Sequence, residues 1–313
     1  MPELRVAEHC LDVAIATNLL DSLLTAGIAV PYSCRAGSCH ACLVRCVAGE
    51  LHDAKPEALD AAQRHQGWRL ACQCQVMSDV QVDVFDPQRD AAPALIHSCD
   101  WLSAHVLRLR LTPQRPLRYS AGQHLQLWTE SGIARPYSLA SLPGEDPWLE
   151  LHIDCRQGGA FATAARAFQA GDSLRLGELR GGALHYDPDW QTRPLWLLAA
   201  GTGLAPLYGV LREALRQEHQ GAIRLIHLAH DAAAHYLAEP LRALAARHPQ
   251  LQVELVCAAE LPAALAELRL VSRQTLALLC GHPDSVETFA RRLYLAGVPR
   301  SQVFADVFLP HAR

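Results

Sequence analysis

Four cysteines constrain this chain more than any other feature of its sequence. Cys34, Cys39 and Cys42 follow a C-x4-C-x2-C spacing on a segment of small residues, and Cys72 lies far downstream. This spacing is typical of four thiolates that hold a [2Fe–2S] cluster. Soft thiolates select iron–sulfur clusters or zinc over harder ions. Small residues such as Gly37 let backbone N–H groups come close to the negatively charged sulfurs.

Other uses of these cysteines fit less well. A zinc site usually pairs two short C-x2–4-C knuckles, whereas this segment has one short pair beside a wider one. Cys39, Cys42 and Cys46 resemble part of a bacterial two-cluster run, but Val47 stands where that run has proline. A disulfide framework belongs to short secreted chains. The sequence therefore favours the [2Fe–2S] interpretation.

The segment from Pro31 to Cys42 resembles the cluster loop of plant-type ferredoxins. The resemblance implies that the metal ligands are Cys34, Cys39, Cys42 and Cys72. It also implies that electrons leave near the loop from Arg35 to Ser38, which we expect to be exposed.

The composition excludes some functions. A net charge of −4 with no Lys/Arg-rich run gives no reason to expect nucleic-acid binding. No apolar run approaches the roughly 20 residues needed to span a bilayer, so no membrane partner is expected. Eleven cysteines without a recognisable secretion signal indicate a reducing cytoplasm. The cysteines without an assigned role are expected to be buried as small hydrophobic residues: Cys10, Cys46, Cys74, Cys99, Cys155 and Cys257.

Periodicity predicts three domains of different class. Residues 1–88 read as an α+β unit with a helix over Leu19–Leu24, a second helix over Pro56–His65 and a closing strand at Val80–Val84. The resemblance to plant-type ferredoxins implies a β-grasp fold for this unit. Residues 86–93 read as a polar linker. Residues 94–190 show short alternating strands, which predict an antiparallel β-barrel. Residues 191–313 alternate buried strands with helices, which predicts a parallel α/β sheet.

The tetrapeptide Arg135-Pro136-Tyr137-Ser138 opens a predicted barrel strand. Lying between a ferredoxin-like unit and an α/β unit, it resembles the flavin motif of the ferredoxin–NAD(P)⁺ reductase superfamily. The resemblance implies that Arg135 binds the FAD pyrophosphate, Tyr137 lies against the isoalloxazine and Ser138 hydrogen-bonds near flavin N5. A guanidinium matches phosphate oxygens in a fork, and a phenol ring supplies a stacking face.

A second segment, Gln157 to Thr163, resembles the family's other flavin-phosphate segment. Gly158 and Gly159 open a predicted helix there, and N–H groups at a helix start favour an anion. Thr163 is the substitute for the hydroxyl residue that the family usually carries. The alternative is a helix start with no ligand.

The loop Gly201-Thr202-Gly203 follows a continuous apolar strand and opens a helix. It matches the superfamily's G-T-G-x-A-P loop, in which the backbone approaches a pyrophosphate. By the same resemblance Cys280 lies near the nicotinamide and Phe308 near the flavin. A strand-end thiol buried for packing is the alternative for Cys280.

The turn after the second strand of this domain carries Asp231, which favours NADH over NADPH because a carboxylate repels a 2′-phosphate. Asp231 as a helix cap is the alternative. Arg224 or a C-terminal arginine could also reach such a phosphate from elsewhere in the chain.

The resemblance covers nearly the whole chain and matches single-chain NADH reductases, such as those of benzoate dioxygenase and methane monooxygenase. It implies an oxidoreductase that passes electrons from NADH through FAD to a [2Fe–2S] cluster and on to a protein acceptor, a Rieske or di-iron oxygenase. The alternatives are the reductase of a deoxysugar radical dehydrase, or a ferredoxin-fused carrier or sensor that does not use NADH.

Overall fold

The computed structural model describes residues 1–309 except residues 33, 38, 157, 182 and 271. Residues 310–313 therefore lie outside it, as do Ser38 of the cluster loop and Gln157 of the second flavin segment. The described chain forms two compact units, Met1–Ala91 with Gln126–Pro136, and Ala92–Leu125 with Tyr137–Leu309. No helix in the described ranges is long and apolar enough to cross a membrane.

The first unit contains a mixed sheet and two short helices. Its elements in chain order are β1 (Glu3–Val6), β2 (His9–Asp12), β3 (Thr17–Asn18), α1 (Leu19–Thr25), β4 (Leu43–Asp53), α2 (Ala61–His65), β5 (Trp68–Leu70) and β6 (Cys74–Val84). The strand order is β2-β1-β6-β4-β5, with β1 parallel to β6 and β4 antiparallel to it. This is the β-grasp arrangement predicted from the sequence.

Helix α1 begins as predicted. The Asn18 side chain accepts a hydrogen bond from the Asp21 N–H and caps the helix. Leu19, Leu20 and Leu23 are fully buried in the core of the first unit. The predicted helix over residues 56–65 is interrupted, because only Pro56–Ala58 and α2 are helical. Asp60 and Gln63 form a capping box at the N-terminus of α2, so α2 is a separate helix.

An antiparallel sheet follows. Its elements are α3 (Pro87–Asp90), β7 (Ala92–Trp101), β8 (Val106–Pro113), β9 (His124–Trp128), β10 (Ala134–Ser138), β11 (Leu149–Asp154), α4 (Ala160–Ala165) and β12 (Ser173–Arg180). The order is β10-β9-β12-β7-β8-β11, and a bridge between Leu139 and Leu151 joins the two edges. The predicted antiparallel barrel is confirmed. The predicted linker is wrong in part, because Asp86 caps the short helix α3 and β7 starts at Ala92.

The remaining residues form a parallel α/β sheet. Its elements are β13 (Leu195–Ala200), α5 (Leu204–Arg216), β14 (Ile223–Ala229), α6 (Ala238–Arg247), β15 (Leu251–Cys257), α7 (Leu261–Ala266), β16 (Leu276–Gly281), α8 (Pro283–Ala296) and β17 (Val303–Val307). All its strands are parallel, in the order β15-β14-β13-β16-β17. Successive strands are added on one side of β13 up to β15 and on its other side from β16, so the order switches between β13 and β16. Ligands of open α/β sheets bind at the carboxyl ends of strands beside such a switch.

Candidate functional site: cluster, flavin and nucleotide segments

The four predicted metal ligands lie as two pairs of thiols. The Cys39 N–H points to the Cys34 Sγ at 3.3 Å, and the Cys34 N–H points to the Cys39 Sγ at 3.5 Å. The thiols of Cys42 and Cys72 share a hydrogen bond. No group of three or more His, Cys, Asp or Glu side chains within the described residues converges on one ion. Two pairs of thiolates fit a two-iron cluster, in which each iron takes two, better than a single zinc ion.

The backbone of the loop turns its N–H groups toward these sulfurs. Arg35 and His40 adopt left-handed conformations, with φ of 49° and 54°. Such conformations are uncommon for residues with a Cβ and cluster at functional sites. The Ala36 N–H points to the Cys34 Sγ at 3.3 Å. Arg35 and Ala36 are exposed, as predicted for a loop that meets a partner.

The thiols of the second pair differ in acidity. The hydrogen bond from Cys42, together with N–H groups of Gln73 and Gly37, lowers the pKa of Cys72 to about 7. The same bond to Cys72, with burial, raises the pKa of Cys42. Burial raises the pKa of the nearby Cys74 to about 12. Cys74 is fully buried in the core, whereas Cys72 is half-buried and shares a hydrogen bond with Cys42, so Cys72 is the better placed of the two to be a ligand.

The expectation that the other cysteines are buried holds only in part. Cys74 and Cys155 are buried, Cys46, Cys99 and Cys257 are half-buried, and Cys10 is exposed. Cys10 lies on β2, the strand at the edge of the sheet, and its side chain is exposed to solvent. The sequence signal was weak because cysteine burial is a tendency and not a rule.

The structure brings the two predicted flavin segments together. Tyr137 at the end of β10 packs on Phe161 in the first turn of α4, with ring centroids 5.0 Å apart at 53°. Ser138 is a buried residue, and its hydroxyl forms no hydrogen bond to another described residue. A hydroxyl without a protein partner suits a ligand atom such as a flavin nitrogen.

The phosphate-binding candidates are also open to a ligand. The only hydrogen bond of the Arg135 guanidinium within the described chain is to the Ala134 carbonyl, at 2.7 Å. A Cβ added to Gly158 or Gly159 would meet no atom within 4 Å, so protein packing does not require these glycines. An approaching anion would use that space. Thr163 is exposed on α4, and its backbone continues the helix. These residues fit FAD.

The nucleotide loop is packed much more tightly. A Cβ on Gly203 would lie 2.3 Å from the Cys280 carbonyl oxygen, so no other residue fits there without a shift. Gly201 has φ of 54°, and Thr202 lies between the two glycines in a short 3-10 turn. Cys280 itself is fully buried, and burial raises the pKa of its thiol. The turn after β13 therefore packs backbone to backbone against the end of β16.

A buried pair of histidines supports this loop from the neighbouring strand. His227 on β14 donates from Nε2 to the Gly201 carbonyl at 3.1 Å, because a carbonyl oxygen only accepts. Its Nδ1 is therefore the acceptor for the His235 Nδ1–H, 3.2 Å away. Burial, with the neighbouring His235, lowers the pKa of His227 to about 3. Sequence analysis missed this pair because the two histidines are separated by a turn.

A second buried chain of hydrogen bonds lies on the barrel side. Tyr236 bonds His152 Nδ1 at 3.2 Å, and His152 Nε2 bonds Glu150 at 3.1 Å. Glu150 also pairs with Arg110 at 2.8 Å. Burial raises the pKa of Glu150, but the bonds and charges of His152 and Arg110 outweigh it and lower that pKa to about 2.

The structure also shows the contacts of three further candidate residues, Asp231, Arg224 and Phe308. Asp231 accepts from the Ala234 N–H at 3.1 Å, so it does cap the next turn. Arg224 forms a two-pronged ion pair with Glu254 near the amino ends of β14 and β15, which takes it away from the carboxyl edge. The Phe308 N–H donates to the Gly281 carbonyl at 2.8 Å, which holds the segment after β17 beside the end of β16.

Sequence analysis also missed Arg156. It lies between the barrel strand β11 and the glycine pair, and its Nη2 is 3.5 Å from the Cβ position of Gly201. The Nε and Nη2 atoms on one edge of its guanidinium contact the Asp154 carboxylate. Its place directly before the Gln157-Gly158-Gly159 run was the available signal.

Family models match three successive parts of the chain. They are a 2Fe-2S iron-sulfur cluster binding domain over residues 6–77, an oxidoreductase FAD-binding domain over 100–184 and an oxidoreductase NAD-binding domain over 197–292. The matched domains therefore confirm the predicted order and the three predicted cofactors.

Known relatives match over most of their length. The reductase component of the naphthalene 1,2-dioxygenase system of Pseudomonas putida is 31% identical over 94% of both chains. Reductase component 1 of terephthalate 1,2-dioxygenase from Comamonas sp. is 34% identical over 70% of this chain and 67% of its own. The CDP-6-deoxy-L-threo-D-glycero-4-hexulose-3-dehydrase reductase of Yersinia pestis is 26% identical over 75% and 73%.

A solved structure also resembles the whole chain. The Amycolatopsis cytochrome P450 reductase is 26% identical, covers all of both chains and superimposes with a TM-score of 0.67. The chain therefore belongs to the family of ferredoxin–NAD(P)⁺ reductase components, oxidoreductases that carry a [2Fe–2S] domain, an FAD domain and an NAD domain in one polypeptide.

Proposed function

We propose that this chain takes electrons from NADH and delivers them singly, through its [2Fe–2S] domain, to a separate oxygenase. The observation that carries the proposal is the two pairs of thiols beside a loop whose residues Arg35 and Ala36 are exposed. A flavin–nucleotide unit alone serves many oxidoreductases, whereas this cluster site gives single electrons an exit to a protein. Bound FAD supplies the exchange between the two-electron chemistry of a nicotinamide and the one-electron chemistry of a cluster.

The chain's own residues bind and orient the cofactors in this proposal. Cys34, Cys39, Cys42 and Cys72 ligate the cluster, and the N–H groups of the loop stabilise its sulfurs. Arg135 binds the FAD pyrophosphate, and the Gly158–Gly159 turn, with Thr163 on the helix that follows it, supplies the second phosphate segment. Tyr137, braced by Phe161, offers a ring face, and Ser138 offers a buried hydroxyl.

The nucleotide is held at the carboxyl edge of the parallel sheet. Gly201, Thr202 and Gly203 receive the pyrophosphate, with Cys280 and Phe308 next to the nicotinamide and flavin. The supporting observation is the close approach of the Gly203 backbone to Cys280 and of Phe308 to Gly281. We propose domain boundaries of 1–88, 94–190 and 191–313, and a cytoplasmic location, because so many free thiols suit a reducing compartment.

The terminal acceptor is proposed to be an oxygenase and not a radical dehydrase. The naphthalene dioxygenase relative matches 94% of this chain at 31% identity, whereas the hexulose dehydrase relative matches 75% at 26%. A Rieske or a di-iron oxygenase both fit the proposal. NADH-driven turnover with purified oxygenase components and with the dehydrase separates these acceptors, and faster reduction of the dehydrase would overturn the assignment.

The function is tested by NADH-driven electron transfer in the holoenzyme. Anaerobic NADH should bleach the flavin absorbance, and cytochrome c should be reduced in turnover. A Cys72→Ser variant should lose cytochrome c reduction but keep ferricyanide reduction by the flavin. A holoenzyme whose flavin is not bleached by NADH is a carrier or sensor, which contradicts the proposal.

The flavin assignment is tested with Arg135→Ala. Loss of one charge-assisted contact of about 1.5–3 kcal/mol should weaken FAD binding by roughly 10- to 100-fold. Arg115→Ala, at an exposed arginine of the same domain, is the matched control. Unchanged FAD affinity in Arg135→Ala would remove Arg135 from the site, and the cluster absorbance should be the same in both variants.

The preference for NADH is tested with Asp231→Asn. Asparagine keeps an oxygen to accept from Ala234 but removes the negative charge. The ratio of kcat/KM for NADPH to that for NADH should therefore rise severalfold. A wild-type enzyme that prefers NADPH, or an unchanged ratio in the variant, would contradict the role of Asp231.

A further inference from the structure

The residue that follows the last cluster ligand reaches back over the cluster loop. Gln73 ends a 3-10 turn, Ala71–Gln73, that leads from Cys72 into β6. Its Nε2 lies 3.0 Å from the Arg35 carbonyl, 3.2 Å from the Cys72 carbonyl and 3.2 Å from the Cys72 Sγ. One amide group therefore contacts both ends of the ligand set.

The chemistry of these contacts fixes the orientation of the amide. Carbonyl oxygens only accept hydrogen bonds, so the side-chain atom that faces the carbonyls of Arg35 and Cys72 must be the NH2 group. The same group faces the Cys72 Sγ. The NH2 group has two hydrogens for three acceptors, so one N–H is directed to the Arg35 carbonyl and the other is shared by the Cys72 carbonyl and Sγ, both 3.2 Å away. The flipped amide would place its oxygen against both carbonyl oxygens.

The loop is built to accommodate this side chain. A Cβ on Gly37 would lie 3.1 Å from Gln73 Cγ and 3.2 Å from Lys55 Cδ. Gly37 also has φ of 75° and is buried. The Lys55 ammonium donates to the Ala36 carbonyl at 3.1 Å on the same loop. The side chains of Gln73 and Lys55 therefore both lie directly against Gly37, where a larger residue would displace them.

We propose that Gln73 is a positioning residue that raises the reduction potential of the [2Fe–2S] cluster by donating an N–H to the Cys72 sulfur. The inference rests on the proposed ligation by Cys72. An added electron increases the negative charge on the ligand sulfurs, so a donated N–H stabilises the reduced cluster more than the oxidised one. A higher cluster potential favours electron flow from the flavin to the cluster.

The test is an anaerobic spectroelectrochemical titration of the holoenzyme, following cluster and flavin absorbance in the same sample. Gln73→Met keeps the length of the side chain but cannot donate, and the cluster potential should move to a more negative value. Gln73→Glu replaces the donor by a negative charge and should move it further. Gln75→Met, at an exposed glutamine two residues along β6, is the matched control and should move neither potential.

The possible outcomes distinguish an error in the role of Gln73 from an error in the proposed ligation by Cys72. A fully loaded Gln73→Met with the wild-type cluster potential would overturn the role of Gln73, as would an equal shift of the flavin potential. If Gln73→Met loads poorly with iron, Gln73→Asn keeps the amide but withdraws it from the sulfur, and the same negative shift is expected. Full iron content in Cys72→Ser would instead show that Cys72 is not the ligand and that the proposed site is wrong.

Discussion

The cluster loop and the nucleotide loop are both proposed to receive negatively charged groups, but the fold holds them by different means. The cluster loop exposes Arg35 and Ala36 and is braced by the side chains of Gln73 and Lys55. The nucleotide loop is pressed against the end of β16, with no room for a methyl group on Gly203. The shape of the first loop therefore depends on side-chain contacts and on the proposed cluster ligands, whereas the second loop is shaped by backbone packing before a nucleotide binds.

The largest effect is expected where the cluster loop loses a ligand. Cys72→Ser should lose or destabilise the cluster, whereas Cys74→Ser should keep it, because Cys74 is fully buried with a raised pKa and its thiol faces the core. Iron content and visible absorbance of both purified variants measure this. The opposite pattern would mean that β6 presents the other cysteine to the iron.

A smaller but clear effect is expected where packing alone shapes the nucleotide loop. Gly203→Ala forces a Cβ against the Cys280 carbonyl and should destabilise the second unit by about 1–3 kcal/mol. The KM for NADH should rise while the cluster absorbance stays unchanged. Urea unfolding followed by flavin release, with steady-state kinetics, measures both.

Gly158→Ala is the matched control for that substitution, since its Cβ meets open space. It should leave the unfolding of the FAD-free protein unchanged and weaken FAD binding only. Equal destabilisation by the two alanines would show that the nucleotide loop is no more tightly packed than the flavin turn, and the comparison would fail.

The smallest effect, counted as the change in the free energy of unfolding per pH unit, is expected from acid. The folded pKa of His227 is lowered to about 3 from 6.5, and that of Glu150 to about 2 from 4.5. The unfolded chain therefore binds these protons more readily, so their stabilisation is present above pH 6.5 and 4.5 and is lost as the pH falls toward 3 and 2. Each group contributes at most about 1.4 kcal/mol per pH unit.

The urea midpoint for flavin release should consequently fall below pH 6.5. A His227→Gln variant keeps an N–H for the Gly201 carbonyl but does not titrate, so its midpoint should fall less between pH 6.5 and pH 5. Identical pH profiles of variant and wild type would show that His227 does not carry the acid response.

Local patterns predicted most of the elements, whereas contacts between distant residues were out of reach. The cysteine spacing and the apolar strand Leu195–Ala200 were visible because each is a short, continuous signal. Strand β7 was missed because its start at Ala92 and Pro93 reads as linker, and only pairing with β8 and β12 makes it a strand.

The same limit applies to the site. The glycines of the nucleotide loop were predicted from their resemblance to a phosphate loop, but Gly203 is also required by a carbonyl on another strand. The bond from Gln73 to Arg35 joins residues 38 positions apart. A sequence pattern describes neighbours along the chain, so neither contact had a signal.

The close contact of Gly203 with Cys280 involves the backbone of residue 280 and not its side chain. The Cys280 carbonyl therefore fixes the position of the nucleotide loop, whatever side chain residue 280 carries. A different side chain of similar volume can therefore occupy position 280 without rebuilding the turn. Such a position is open to evolutionary change, because descendants of this reductase can vary a buried side chain there while inheriting an unaltered scaffold.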